Sequence, residues 1–72
     1  MTKLPQLKSR EIVKGLTRLG FLKTRQSGSH LRMIHPDGRA VTIPIHSKII
    51  PKGTLNSILK QAQIKIEQLM KN

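Results

Sequence analysis

The chain has 72 residues, of which 14 are Lys or Arg and only three are acidic, so its formal net charge is +11 at pH 7. This length predicts one domain, residues 1–72, with a modest core, and the absence of cysteine excludes disulfides and thiolate metal sites. The charge indicates a polyanionic partner, and the single aromatic residue, Phe21, excludes binders that stack bases on exposed rings.

The first periodic segment predicts a helix over residues 9–19. Ser9 is a suitable N-cap and Gly20 a suitable stop. Gly15, inside this helix, costs about 1 kcal/mol relative to alanine and hints at close packing. The apolar stripe of the helix comprises Ile12, Val13, Leu16 and Leu19.

Three predicted strands follow, over residues 21–26, 30–35 and 39–46. The chain turns between them at Ser27-Gly28-Ser29 and at Pro36-Asp37-Gly38, where proline and glycine favour a tight hairpin. Pro44 cannot donate a ladder hydrogen bond, so we expect it on a sheet edge or with its nitrogen pointing outward.

A loop over residues 47–53 leads to a second helix, for which Thr54 is the predicted cap. Its apolar stripe comprises Leu55, Ile58, Leu59 and Ala62. A short extra helix over residues 66–71 presents Ile66, Leu69 and Met70. The order α-β-β-β-α predicts an α+β fold, a three-stranded antiparallel sheet with its helices packed on one face.

This fold predicts where the side chains of the second strand point. If Leu31 and Met33 face the helices, alternation turns His30 and Arg32 toward the open face of the sheet. Histidine exchanges a proton near neutral pH, so His30 would be a proton-transfer group beside a fixed cation.

Several short motifs occur in a characteristic order. They are Leu4-Pro5, Gly20-Phe21, Gly28-Ser29-His30, Pro44-Ile45-His46, Lys52-Gly53-Thr54-Leu55 and Ile58-Leu59-Lys60-Gln61-Ala62. In this order the chain resembles, over nearly its whole length, the HicA-type toxins, which are mRNA interferases with a fold similar to the double-stranded RNA-binding domain. Gln63 stands where a glycine is common in that family. The resemblance implies a toxin that cuts mRNA and is neutralised by a HicB-like antitoxin covering its active face.

The resemblance also implies that His30 is the functional histidine, whereas a histidine in a strand is usually structural or merely exposed. RNA carries its own nucleophile, the 2′-hydroxyl, so an enzyme needs only proton transfer and charge stabilisation. We therefore hypothesise metal-independent cleavage through a 2′,3′-cyclic phosphate, with His30 as general base or acid, a role that typically contributes about 10²- to 10⁴-fold.

Two further histidines are weighed beside it. His46 is either a second acid–base group or a residue that holds the corner between strand and loop, and the sequence favours neither interpretation. His35 is expected to be an exposed strand residue without a role.

The expected contacts to the RNA backbone come from small and basic residues. Gly28 and Ser29 would allow close approach and offer backbone amides, and Lys52 at a helix N-terminus would seat a phosphate, although an ordinary capping loop is an equally simple interpretation. The other expected phosphate-binding cations are Arg25, Arg32 and Lys48.

No metal or other cofactor is expected, because Glu11, Asp37 and Glu67 are too scattered for a two-metal site. No signal peptide or membrane-spanning run is visible, so we expect a cytoplasmic protein, monomeric when free. The alternatives are a non-catalytic RNA-binding module of the same fold and an interaction protein for an acidic partner. A membrane-active peptide is disfavoured, because turns and prolines interrupt the apolar periodicity.

Overall fold

The computed structural model describes residues 4–70. Its elements are α1 (Ser9–Arg18), β1 (Leu22–Ser27), β2 (His30–Ile34), β3 (Ala40–Pro44), α2 (Lys52–Ala62) and α3 (Ile66–Met70). The strands form one antiparallel sheet in the order β1-β2-β3. The predicted α+β architecture is confirmed, while Lys71, the predicted end of the last helix, lies outside the described residues.

The core lies between one face of the sheet and the helices. Leu31, Met33, Val41 and Ile43 are buried on this face, as the alternation in β2 and β3 predicts. Phe21 is fully buried just before β1, which therefore begins and ends one residue later than predicted. The helices contribute Ile12, Leu16, Leu55, Ile58, Leu59, Ala62, Ile66 and Leu69, whereas Met70 is exposed.

The start of α1 differs from the prediction. Its N-cap is Lys8, whose backbone N–H donates to the Glu11 carboxylate at 2.9 Å. Ser9 is the first helical residue, and its buried hydroxyl donates instead to the His46 carbonyl oxygen at 3.0 Å. The predicted cap was wrong because this serine bonds to a distant loop. The helix ends at Arg18, one residue before the predicted end. Leu19 is its C-cap residue, and Gly20 comes next with φ +101°.

The second helix begins earlier than predicted, at Lys52, so the prediction of Thr54 as its cap was wrong. Pro51 is the N-cap residue, and its carbonyl accepts the first helical hydrogen bond from Leu55 N–H at 2.9 Å. Proline is compatible with this position because it needs no N–H there. At the other end Gln63 adopts a left-handed conformation, φ +57°, which a glycine would adopt at lower cost.

The third strand stops at Pro44, two residues before the predicted end. Because β3 is an edge strand and Ile45 N–H still donates to the Ser29 carbonyl, the Pro44 nitrogen points away from the sheet, as predicted. Thr42 N–H points the same way and donates to Gln61 Oε1 at 3.1 Å. The outer edge of β3 is thus closed by a proline and by α2.

The hairpin turn at Pro36-Asp37-Gly38 is confirmed, with Gly38 N–H donating to the His35 carbonyl at 2.9 Å. The prediction of His35 as an exposed strand residue was wrong. Its ring lies 5.2 Å from Phe21 in an edge-on contact, and its Nδ1 accepts Asp37 N–H at 3.1 Å. The Arg39 amide, which donates to the Asp37 carboxylate, holds the pKa of that carboxyl below its usual value. His35 therefore has a structural role.

The close packing expected at Gly15 is present, since a Cβ there would lie 2.7 Å from both the carbonyl oxygen and Cδ1 of Leu69. Overpacking costs about 1–3 kcal/mol, and alanine's helix propensity returns about 1 kcal/mol. We expect Gly15→Ala to lower the free energy of unfolding in urea. The control Gly53→Ala meets no atom within 4 Å and should leave it unchanged or raise it. Equal effects of the two changes would contradict the packing argument.

Candidate functional site

The open face of the sheet carries the residues that the sequence singles out. In β2, His30 and Arg32 are exposed and alternate with the buried Leu31 and Met33. His30 and Arg32 therefore point away from the helices, as alternation predicts. The imidazole is uncovered.

The neighbouring strand adds a second cation to this face through a β-bulge. Arg25 lies opposite Arg32, and Ser27 lies opposite His30, because the register shifts between Lys23 and Arg25. Thr24 is the extra residue, and its hydroxyl donates to the Arg32 carbonyl at 3.1 Å. Without this bulge Arg25 would oppose Leu31 and share the helix-facing side. Reasoning from sequence missed the bulge, because no glycine or proline marks it.

The register sets the spacing of the charged groups. Residues directly opposite in such a ladder have Cβ atoms about 4.5–5.5 Å apart, and diagonal neighbours about 7–8 Å. His30 is thus flanked by Arg32 along its own strand and by Arg25 on the diagonal. Within residues 4–70 the ion pair between Asp37 and Arg39 involves neither arginine of this face, so both keep their charge available.

The turn before His30 has two residues, Gly28 and Ser29. Gly28 has φ +57°, and positive φ at the first central position is typical of a type II′ hairpin, where glycine is favoured. A Cβ at Gly28 would meet nothing within 4 Å, so space does not require glycine here. The positive φ of the backbone does. The Ser29 carbonyl accepts Ile45 N–H, which anchors the turn to the end of β3.

The remaining predicted site residues lie in the segment that leaves β3 next to His30. His46 is exposed and outside the strand, and its backbone N–H and carbonyl both bond to the Ser9 hydroxyl. Lys48 is exposed in the loop, and Lys52 is exposed as the first residue of α2. The structure therefore gathers Arg25, Arg32, Gly28 and Ser29 around His30. His46, Lys48 and Lys52 lie beyond the end of β3, in the segment that leads to α2 and in its first residue.

The described part of the chain contains no group of three or more His, Asp or Glu side chains placed to hold a metal ion. In residues 4–70 no helix has both the length and the apolar character that crossing a membrane requires.

The chain matches a family of known proteins, and the search of curated proteins found no match. The match is to the HicA toxin of bacterial toxin–antitoxin systems and spans residues 9–64. It runs from the first residue of α1 to just beyond α2 and includes the whole sheet with His30. The chain therefore belongs to the HicA toxin family, and an antitoxin is its implied partner.

Proposed function

We propose that the chain is a metal-independent endoribonuclease that cleaves mRNA, with His30 as its general acid or base. The observation that carries the proposal is an exposed imidazole flanked on the open sheet face by Arg25 and Arg32. A family of toxins and a net charge of +11 support an attack on a cellular polyanion.

The proposed chemistry uses the substrate's own nucleophile. The 2′-oxygen bonds to the adjacent phosphorus, the bond to the 5′-oxygen breaks, and the products are a 2′,3′-cyclic phosphate and a 5′-hydroxyl. His30 takes the proton from the 2′-hydroxyl or gives one to the departing 5′-oxygen. Arg25 and Arg32 would stabilise the charge that develops on the phosphorane oxygens.

His46 remains the candidate for a second acid–base group. The backbone of His46, and not its ring, bonds to Ser9. Another residue type could therefore hold this corner between β3 and the loop equally well. A cleavage assay of His46→Ala decides between the two roles. A loss of tenfold or more assigns a catalytic role, whereas an unchanged rate leaves His46 as a corner residue.

Binding of the RNA backbone is assigned to the arginines together with Gly28, Ser29, Lys48 and Lys52. The basic face equally supports a non-catalytic RNA-binding module, which would bind RNA and leave it intact. With mRNA as its substrate the protein would act in the cytoplasm, and we propose that it is monomeric until it meets a HicB-like antitoxin. Cleavage of labelled RNA by the purified chain in EDTA tests the proposal. Cleavage that disappears with the chelator would contradict its metal-free form.

The salt dependence of RNA binding tests the role of the two arginines. Each phosphate contact contributes a slope of about −0.7 in log K against log salt for single strands. We expect Arg25→Gln with Arg32→Gln to reduce the slope by about 1.4 in filter-binding titrations. Lys60→Gln with Lys65→Gln removes the same charge from exposed sites near the ends of α2 and α3, and should leave the slope unchanged. Equal slopes for both double variants would contradict a defined RNA face.

A further inference from the structure

A groove of about 730 Å³ lies between α1 and β1, on the side of the sheet opposite His30. Its floor is apolar and formed by the side chains of Val13, Leu31 and Ile45. Val13 and Ile45 are half-buried and pack against the edge of the core. Every residue of β1 is exposed, and Val13 and Ile45 are only half-buried, so the apolar floor is partly open to solvent.

The rim of this α1–β1 groove is cationic. Arg10, Lys14 and Arg18 lie four residues apart along one face of α1, and Lys23 faces them from β1. None of the residues that line the groove is acidic. Arg18 is held in place by donating to the carbonyls of Gln68 and Leu69, each at 3.0 Å. The groove therefore combines an apolar floor with several positive charges, at least one of which is fixed.

We propose that the α1–β1 groove binds an acidic amphipathic helix of a protein partner. The apolar side of such a helix would cover Val13, Leu31 and Ile45, and its carboxylates would meet the cations of the rim. RNA fits less well, because the floor offers apolar side chains and no aromatic ring for stacking. An added strand also fits less well, because the bulge at Thr24 interrupts the ladder of β1.

This inference goes beyond the proposed nuclease and holds whether or not His30 cleaves RNA. The groove and His30 lie on opposite faces of the sheet, so a helix in the groove would leave the His30 face uncovered. Contacts with the partner and cleavage of RNA are therefore separable by substitution. Arg10 and Lys14 belong to the groove and have no assigned role in the RNA site.

A methyl-NMR titration of the full chain tests the proposal. The probe is a synthetic 14-residue helical peptide with leucines along one side and glutamates along the flanks. The controls are an isomer of the same composition in scrambled order and a short single-stranded RNA. We expect the amphipathic peptide to shift the methyl signals of Val13, Leu31 and Ile45. Arg10→Gln with Lys14→Gln should weaken its binding about tenfold, whereas Lys60→Gln with Lys65→Gln should not.

The outcomes separate the possible occupants. No shift of these methyls at millimolar peptide, or equal shifts with the scrambled isomer, would overturn the proposal. RNA shifting the same methyls as strongly as the peptide would also overturn it and assign the groove to nucleic acid. RNA cleavage by Arg10→Gln with Lys14→Gln, measured in parallel, should match that of the control pair. This measurement keeps a failure of the groove proposal distinct from a failure of the nuclease proposal.

Discussion

Replacing His30 with alanine is expected to slow RNA cleavage by about 10²- to 10⁴-fold, because the variant loses the group proposed to move a proton in the transition state. The exposed side chain lies on the open sheet face and contributes nothing to the core, so the fold should persist. Single-turnover cleavage of labelled RNA in EDTA measures the effect, with circular dichroism to verify folding.

RNA binding by the same variant separates the enzyme from the binding module. Arg25 and Arg32 remain in place in His30→Ala, so its affinity for RNA should stay within a few-fold of the original protein. Equal cleavage by both proteins would remove His30 from the mechanism. Equal binding with no cleavage by either would favour the non-catalytic alternative.

Replacing Phe21 with alanine is expected to have the largest effect on stability. Phe21 is fully buried, contacts the His35 ring, and lies 5.1 Å beneath the Arg39 guanidinium. Truncating a buried phenylalanine costs about 3–5 kcal/mol, and a small domain has about 5–15 kcal/mol in total. Urea unfolding should show the free energy of unfolding lowered by about 3–5 kcal/mol.

A matched change keeps this prediction testable if the alanine variant fails to fold. Phe21→Leu retains an apolar side chain and loses only the ring contacts, so its free energy of unfolding should fall between those of the original protein and Phe21→Ala. If Phe21→Ala lowers the free energy of unfolding by less than about 1 kcal/mol, this core tolerates the cavity and the prediction is contradicted.

The strands whose positions could be predicted are those that lie over the core. Alternation in β2 and β3 identifies their buried face, because Leu31, Met33, Val41 and Ile43 must all meet the helices. That face in turn places His30 and Arg32 on the open side. In β1 every residue is exposed, so no alternation exists to define its face or to reveal the bulge at Thr24.

Other features depend on tertiary contacts that local sequence does not encode. Serine is a residue type favoured at helix N-caps, but the Ser9 hydroxyl donates to the carbonyl of His46, 37 residues away. The sequence around His35 predicts an exposed residue at the end of a strand. Its ring instead packs against Phe21, the residue just before β1. Local propensity predicted an element boundary in each case, and a distant partner determined the role of the side chain.

The chemical nature of the cleavage products tests the account most directly, because only attack by the 2′-hydroxyl leaves a cyclic phosphate. Mass spectrometry of a short RNA cut in EDTA should show one fragment ending in a 2′,3′-cyclic phosphate and another beginning with a 5′-hydroxyl. A single 2′-deoxy substitution at the cleavage site should abolish the cut. Fragments bearing a 5′-phosphate and a free 3′-hydroxyl would contradict the proposed role of His30.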